Sequence, residues 1–229
     1  MPRQTLTDSF ARHREQDRAQ GLFELESDRV LEVNLDGRVW MKVGAMIAYR
    51  GAMTFTREGL FNQGLGNALK KIVTFEGGWL TKAEGRGKLY LADGAKKLSI
   101  LELRDESLWI NGTDLLAFQD GLSHDIRLMR KISSVLHGGL FNVKVAGNGL
   151  VAVGTHGLPL ALAVTPSLPV YTDPNATVAW SGGLEPELKT DLQFKTFLGR
   201  GSGESFQKVF RGEGFVLVQP YEKNLGGQR

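Results

Sequence analysis

The sequence predicts an all-β fold of sandwich or barrel-like layers, built from three internal repeats joined by short connector helices. Three observations predict it. First, a G-x-G pair with a fixed aromatic eight residues before its second glycine occurs three times: Trp79 with Gly85/Gly87, Phe141 with Gly147/Gly149, and Phe206 with Gly212/Gly214. Second, an aromatic followed nine residues later by the second residue of an Ala-aromatic pair also occurs three times: Trp40 with Ala48-Tyr49, Trp109 with Ala117-Phe118, and Tyr171 with Ala179-Trp180. Two independent spacings that each recur three times point to repetition. Third, glycine is abundant, at 29 residues, with many at repeat-matched turns, and no alternation of strand and helix segments marks a parallel α/β sheet.

Taken in order, residues 1–20 are polar, with Leu6 and Phe10 their large apolar residues, and read as a surface tail or short helix. Residues 21–225 read as a single all-β domain with repeats at about 21–97, 98–160 and 161–221. Each repeat opens on a hairpin: Val39–Lys42 with Ile47–Tyr49 around Gly44, Leu108–Ile110 with Leu116–Phe118 around Asn111-Gly112-Thr113-Asp114, and Val170–Thr172 with Val178–Trp180 around Asp173-Pro174-Asn175-Ala176. Each closes on a second hairpin, whose turn the G-x-G pair would form. Ala146-Gly147-Asn148-Gly149 carries the strongest such signal, Asn-Gly between alternating apolar runs.

The connectors between paired hairpins differ in length. Leu65, Ala68, Leu69, Ile72 and Val73 in the first, and Leu122, Ile126, Met129, Ile132 and Leu136 in the second, stand at helical spacing and predict a short helix in each. Leu188, Leu192 and Phe197 leave the third open. The alternation places Trp40, Trp109 and Tyr171, and likewise Ala48, Ala117 and Ala179, at matched core positions.

The chemistry the sequence offers is sparse. With no cysteine, disulfides, thiolate catalysis and cysteine-ligated metals are excluded. The G-x-G pairs precede strands and lack the spacing of a dinucleotide fingerprint, and no Walker-type P-loop occurs. His13, His124, His137 and His156 stand at no metal-ligand spacing; His124 and His137 flank the predicted second connector helix, too far apart along it to share one ion. Ser202 reads as a loop serine, and Asp105, Asp120 and Asp173 as turn residues that bond the local backbone. No residue is therefore assigned as catalytic, cofactor-binding or metal-binding, and the protein is read as non-enzymatic and free of cofactors. Two basic clusters, Lys82/Arg86/Lys88/Lys96/Lys97 and Lys195/Arg200/Lys208/Arg211, offer a stripe for RNA or an anionic membrane surface. Acidic residues interleave with them, and the net charge is only +3.

No apolar run reaches the ~20 residues of a membrane helix. The N-terminus lacks a secretory h-region, and Asp8, Glu15 and Asp17 break the acid-poor pattern of a transit peptide.

Leu31-Glu32-Val33-Asn34-Leu35-Asp36-Gly37, Ala45-Met46-Ile47-Ala48-Tyr49-Arg50-Gly51, Gly147-Asn148-Gly149, and Gly203-Glu204-Ser205-Phe206-Gln207 with Val218-Gln219-Pro220 resemble, in order and spacing, the altered-inheritance-of-mitochondria family. The resemblance runs from about Leu22 to Tyr221. It implies a double-stranded β-helix-like fold related to the tryptophan RNA-binding attenuation protein (TRAP), repeated within one chain. It carries over no catalytic residue. The expectation is a structural or protein-interaction protein in the bacterial cytoplasm, peripheral to a membrane or part of a larger assembly, with a protein partner or a second copy. The alternative is a small-ligand or RNA-binding module using a groove between repeats.

Overall fold

The computed structural model describes residues 5–16, 21–57, 79–128, 141–190 and 206–220. Among them the chain is mostly strand, with one helix, α1 (Leu6–His13). Thr5 caps α1 by accepting from the Asp8 amide, and none of the helix is buried. The strands are β1 (Phe23–Ser27), β2 (Val30–Lys42), β3 (Met46–Arg57), β4 (Leu80–Leu91), β5 (Lys97–Asn111), β6 (Leu115–Gln119), β7 (Ser123–Leu128), β8 (Phe141–Thr155), β9 (Leu160–Val164), β10 (Val170–Thr172), β11 (Thr177–Ser181), β12 (Glu187–Thr190), β13 (Phe206–Phe210) and β14 (Gly214–Val218). An eleven-stranded antiparallel sheet runs β3-β4-β2-β6-β8-β5-β11-β14-β9, with β1 on β2 and β7 on β8; a second sheet runs β10-β13-β12.

The pairings fall into three groups. In the first, β4 lies between β2 and β3 and pairs with both along its whole length. In the second, β8 lies between β5 on one side and β6 and β7 on the other. In the third, β13 lies between β10 and β12, and β14 between β9 and β11. Each group surrounds an apolar cluster. The first is centred on Leu31, Val33, Val39 and Leu89, the second on Ile110, Phe118, Val143 and Val151, and the third on Trp180, Phe210 and Val216.

The groups are joined by two three-residue seams. Val39, Trp40 and Met41 of β2 pair with Gln119, Phe118 and Ala117 of β6, and Leu108, Trp109 and Ile110 of β5 pair with Ser181, Trp180 and Ala179 of β11.

Several local expectations are corrected. The segments read as opening hairpins are strand pairs that do not bond each other: β4 separates β2 from β3, β8 separates β5 from β6, and β10 and β11 lie in different sheets. Turn chemistry at 43–45, 112–114 and 173–176 shows that the chain reverses there, and leaves open which strand fills the space between.

The G-x-G pairs read as turns also differ. Gly85/Gly87 and Gly147/Gly149 lie inside β4 and β8, and Gly212/Gly214 joins β13 to β14. All six have φ between +112° and +158°. Their conformational freedom bends a long strand instead of reversing it. The bend crosses neighbouring strands: Gly37 faces Gly85, and Gly51 faces Gly87. A β-carbon on Gly85 would stand 2.0 Å from the Ala52 carbonyl oxygen. In the second group Asp105, with φ 55°, makes the same bend on β5; its amide donates to Asn148 Oδ1 at 2.9 Å and its carboxylate accepts from Asn148 Nδ2.

The second predicted connector helix is strand β7 over Ser123–Leu128. Leu122 and Ile126, four apart, satisfy a period of two as well as 3.6, and His124 fills the inward place between them. The remainder of that segment, the first connector helix and most of the third connector fall outside the described residues.

Of the matched core positions, Trp109, Ala117 and Ala179 are buried and Trp40 is partly so, whereas Ala48 and Tyr171 are exposed. No third seam covers them among the described residues.

Candidate functional site

The described residues hold two polar networks, one buried and one partly exposed, and several open sheet edges. The first network gathers side chains from all three strand groups where the end of β2, the β4–β5 connection, the β5–β6 reversal and the segment after β14 approach. Lys42, at the end of β2, donates to Asp93 at 2.9 Å and to the Thr113 carbonyl at 2.8 Å. Lys96 donates to the same carbonyl at 2.6 Å and to Asp114 Oδ1 at 2.8 Å, and lies 3.1 Å from Asp93. Gln219, beyond β14, donates to both oxygens of Asp114 and accepts from the His156 amide at 2.7 Å. Asn111 reaches across to the Thr177 carbonyl.

Burial opposes the Lys96 charge, and Asp114 and Asp93 together more than offset it, so its pKa stands above the ordinary lysine value. For Asp114 burial prevails, and its pKa is raised against the pull of Lys96. The arrangement is an ion pair whose charges are consumed by each other.

Lys208 lies close to this network. Its ammonium stands 4.6 Å over the Trp180 ring centroid, and burial lowers its pKa to about 8 against the opposing pull of Asp114 and Asp173.

The second network lies under the segment that follows α1. Glu32 is fully buried on β2 and meets Lys88 at 2.7 Å. Glu15 accepts from the Tyr90 hydroxyl and from Arg50, and these bonds hold its carboxyl below the usual range. The segment read as a tail is thereby tied to β3 and β4.

Two of the edges are the outer sides of β3 and β10. Met46, Ile47 and Tyr49 are exposed on the first, and Tyr171 on the second with Leu168 just before it.

The first basic cluster is neutralised. Lys82 pairs with Glu84, Arg86 with Asp36, Lys88 with Glu32, Lys96 with Asp114, and Lys97 lies 3.9 Å from Asp28. In the second cluster Lys208 is buried, Arg211 is exposed, and Lys195 and Arg200 lie outside the described residues, as does Ser202.

The histidines are dispersed. His13 bonds the Ser9 carbonyl, His124 packs against Trp40 and Phe118, the His156 amide bonds Gln219, and His137 is outside the described residues. His124 sits on a strand, which corrects its expected place at a helix end. Asp105 bends β5, Asp173 accepts from the Asn175 amide, and Asp120 lies 3.7 Å from Arg38.

Lys96, Asp114, Lys208 and Gln219 were not legible as a group from sequence. One local signal existed: Lys208 shares the strand parity of the buried Phe210, so it falls at an inward place.

The sequence profile of the family described as mitochondrial biogenesis AIM24 matches residues 23–221. The crystal structure of a Streptococcus pyogenes protein is similar in fold, with a TM-score of 0.69 and 23% identity over 87% of this chain and 92% of that one. No curated protein matches. No helix among the described residues is long and apolar enough to cross a membrane.

Proposed function

The chain belongs to the mitochondrial biogenesis AIM24 family, and from that premise we propose that it is a non-enzymatic interaction protein that presents sheet surfaces to a protein partner, at the periphery of a membrane or within a larger cytoplasmic assembly. One observation carries the reading: large apolar side chains stand exposed on strands at the ends of the strand order. They are Met46, Ile47 and Tyr49 on β3, Leu160 on β9 and Tyr171 on β10, and Phe215 is exposed on β14, the strand next to β9. Exposed apolar residues grouped on sheet edges mark contact surfaces.

The enclosed charges support the same reading. Lys42 and Asp93 of the first group meet Lys96 and the Thr113 carbonyl beside β5, which places them to hold the first two strand groups together, while Lys88 with Glu32 ties β4 to β2 within the first. The RNA alternative draws little from the first basic cluster, whose members face carboxylates.

We further propose that the three strand groups are copies of one unit, in a TRAP-like, double-stranded β-helix arrangement. In every group the bent central strand, β4, β8 or β13 with β14, is paired on both sides by the same order of strands, and its glycines share positive φ.

The test is capture from native-host lysate with immobilised protein, comparing the wild type with a Leu160→Lys/Phe215→Lys variant. Specific proteins retained by the wild type and lost by the variant are the expected outcome. Equal recovery by both would remove β9 and the adjoining β14 from the binding surface.

A further inference from the structure

Both seams inside the chain are built alike. In each, an aromatic on the first strand of one group lies opposite an aromatic on the second strand of the next. Trp40 stacks on Phe118 with ring centroids 6.2 Å apart, and Trp109 stacks on Trp180, also at 6.2 Å. The residue after the first aromatic faces an alanine in both cases, Met41 opposite Ala117 and Ile110 opposite Ala179.

The chain also carries the two halves of a third such seam, and they are apart. Val170-Tyr171-Thr172 of β10 matches Val39-Trp40-Met41 and Leu108-Trp109-Ile110. Ala48-Tyr49-Arg50 of β3 matches Ala117-Phe118-Gln119 and Ala179-Trp180-Ser181. Among the described residues nothing pairs with the outer edge of either strand: β10 bonds only β13, and β3 bonds only β4. Exposure tells the halves from their counterparts. Tyr49 is 48% and Tyr171 51% exposed, against 0% for Phe118, 4% for Trp109 and 2% for Trp180.

We propose that the chain associates head to tail with a second copy of itself, β10 of one copy adding to β3 of the next. Tyr171 then stacks on Tyr49, with Val170 opposite Arg50 and Thr172 opposite Ala48. This rests on the interaction reading above and names the partner. The occupant is a second copy because this chain supplies both complementary edges, in the register its own seams already use. Strand addition of this kind satisfies main-chain donors and acceptors on both edges. The contact is heterologous, so repeated addition yields a ring or a filament. Each seam is only three residue pairs wide, which places the contact at the weak, concentration-dependent end of protein interfaces.

Because the chain has no cysteine, the contact can be trapped directly. Tyr49→Cys and Tyr171→Cys are prepared separately, mixed and mildly oxidised; facing strand residues stand close enough for a disulfide. The expected result is a crosslinked dimer in the mixture that forms several-fold faster than in either variant alone. A mixture no faster than the separate variants would overturn the proposal. So would a double variant that closes within one chain at high dilution, since the seam would then be internal.

Sedimentation equilibrium of the unmodified chain supplies a second measurement. Average mass should rise with concentration, and Tyr171→Lys, at a position already exposed, should return it to the monomer. A monomer at every concentration overturns self-association. If Leu160→Lys/Phe215→Lys still strips captured proteins in that case, the interaction reading stands without it; if capture is also unchanged, both fail.

Discussion

Lys208 is an ammonium where the matching places in the other two groups hold Val143 and Thr81, each four residues before the first glycine of its pair. It is 1% exposed. Its folded pKa of about 8 lies below the ~10.4 of an unfolded lysine, so the unfolded chain binds the proton more tightly. Stability is therefore penalised below pH 8, and it rises as pH climbs from about 8 towards 10. Lys208→Met should raise stability at neutral pH by roughly 1–3 kcal/mol, less whatever the Trp180 contact contributes. The gain should shrink above pH 8, and thermal melts at several pH values will show it. Gly85 gives the opposite sign. Its φ is +143°, and a β-carbon added there would meet a carbonyl oxygen at 2.0 Å, so Gly85→Ala should destabilise by about 2–4 kcal/mol in denaturant titration. The spacing in the sequence marks Gly85 as conformationally special without showing what the freedom is for. A positive φ serves a bend and a turn equally well, and only the strand partners on either side decide between them.

Among elements, the seams set the energetics. Trp109 is buried against Trp180, with the Arg127 guanidinium 4.7 Å from its ring, so Trp109→Ala should cost about 3–5 kcal/mol. Tyr171→Ala, at the matching place, should cost no more than about 1 kcal/mol in dilute protein, because that residue is already 51% exposed. Comparable losses at the two positions, measured by thermal or denaturant unfolding, would mean that Tyr171 is covered in the monomer. The difference also explains which features are legible in sequence. Alternation fixes which face of a strand points inward, so the burial of Ala117 and Ala179 can be read locally. Whether a neighbouring strand then arrives depends on pairing between distant segments, and neither Ala48 nor Tyr171 carries that information. The same limit makes β7 look helical: Leu122 and Ile126 fit two periods, and pairing to β8 selects one.

Across the whole molecule, the network of Lys42, Asp93, Lys96, Asp114 and Gln219 joins strand groups that are distant in sequence. Lys96→Met leaves Asp114 buried beside a weakened set of partners and should cost about 3–5 kcal/mol. Adding Asp114→Leu should restore much of that loss, because an apolar pair has no charge to desolvate. A double variant no more stable than Lys96→Met would show that the network's hydrogen bonds, rather than its unpaired charge, carry the effect. The sequence displays these residues only as scattered members of a mixed-charge surface, since their convergence requires segments from all three strand groups to approach one another.

The stacked pair at the second seam has an optical consequence. Two indoles 6.2 Å apart and 17° from parallel couple their electronic transitions, and Trp109 and Trp180 belong to different strand groups. Their exciton signal in circular dichroism should vanish when those groups separate, even if each keeps its own strands. The chain therefore contains its own label for that one joint, readable without any dye.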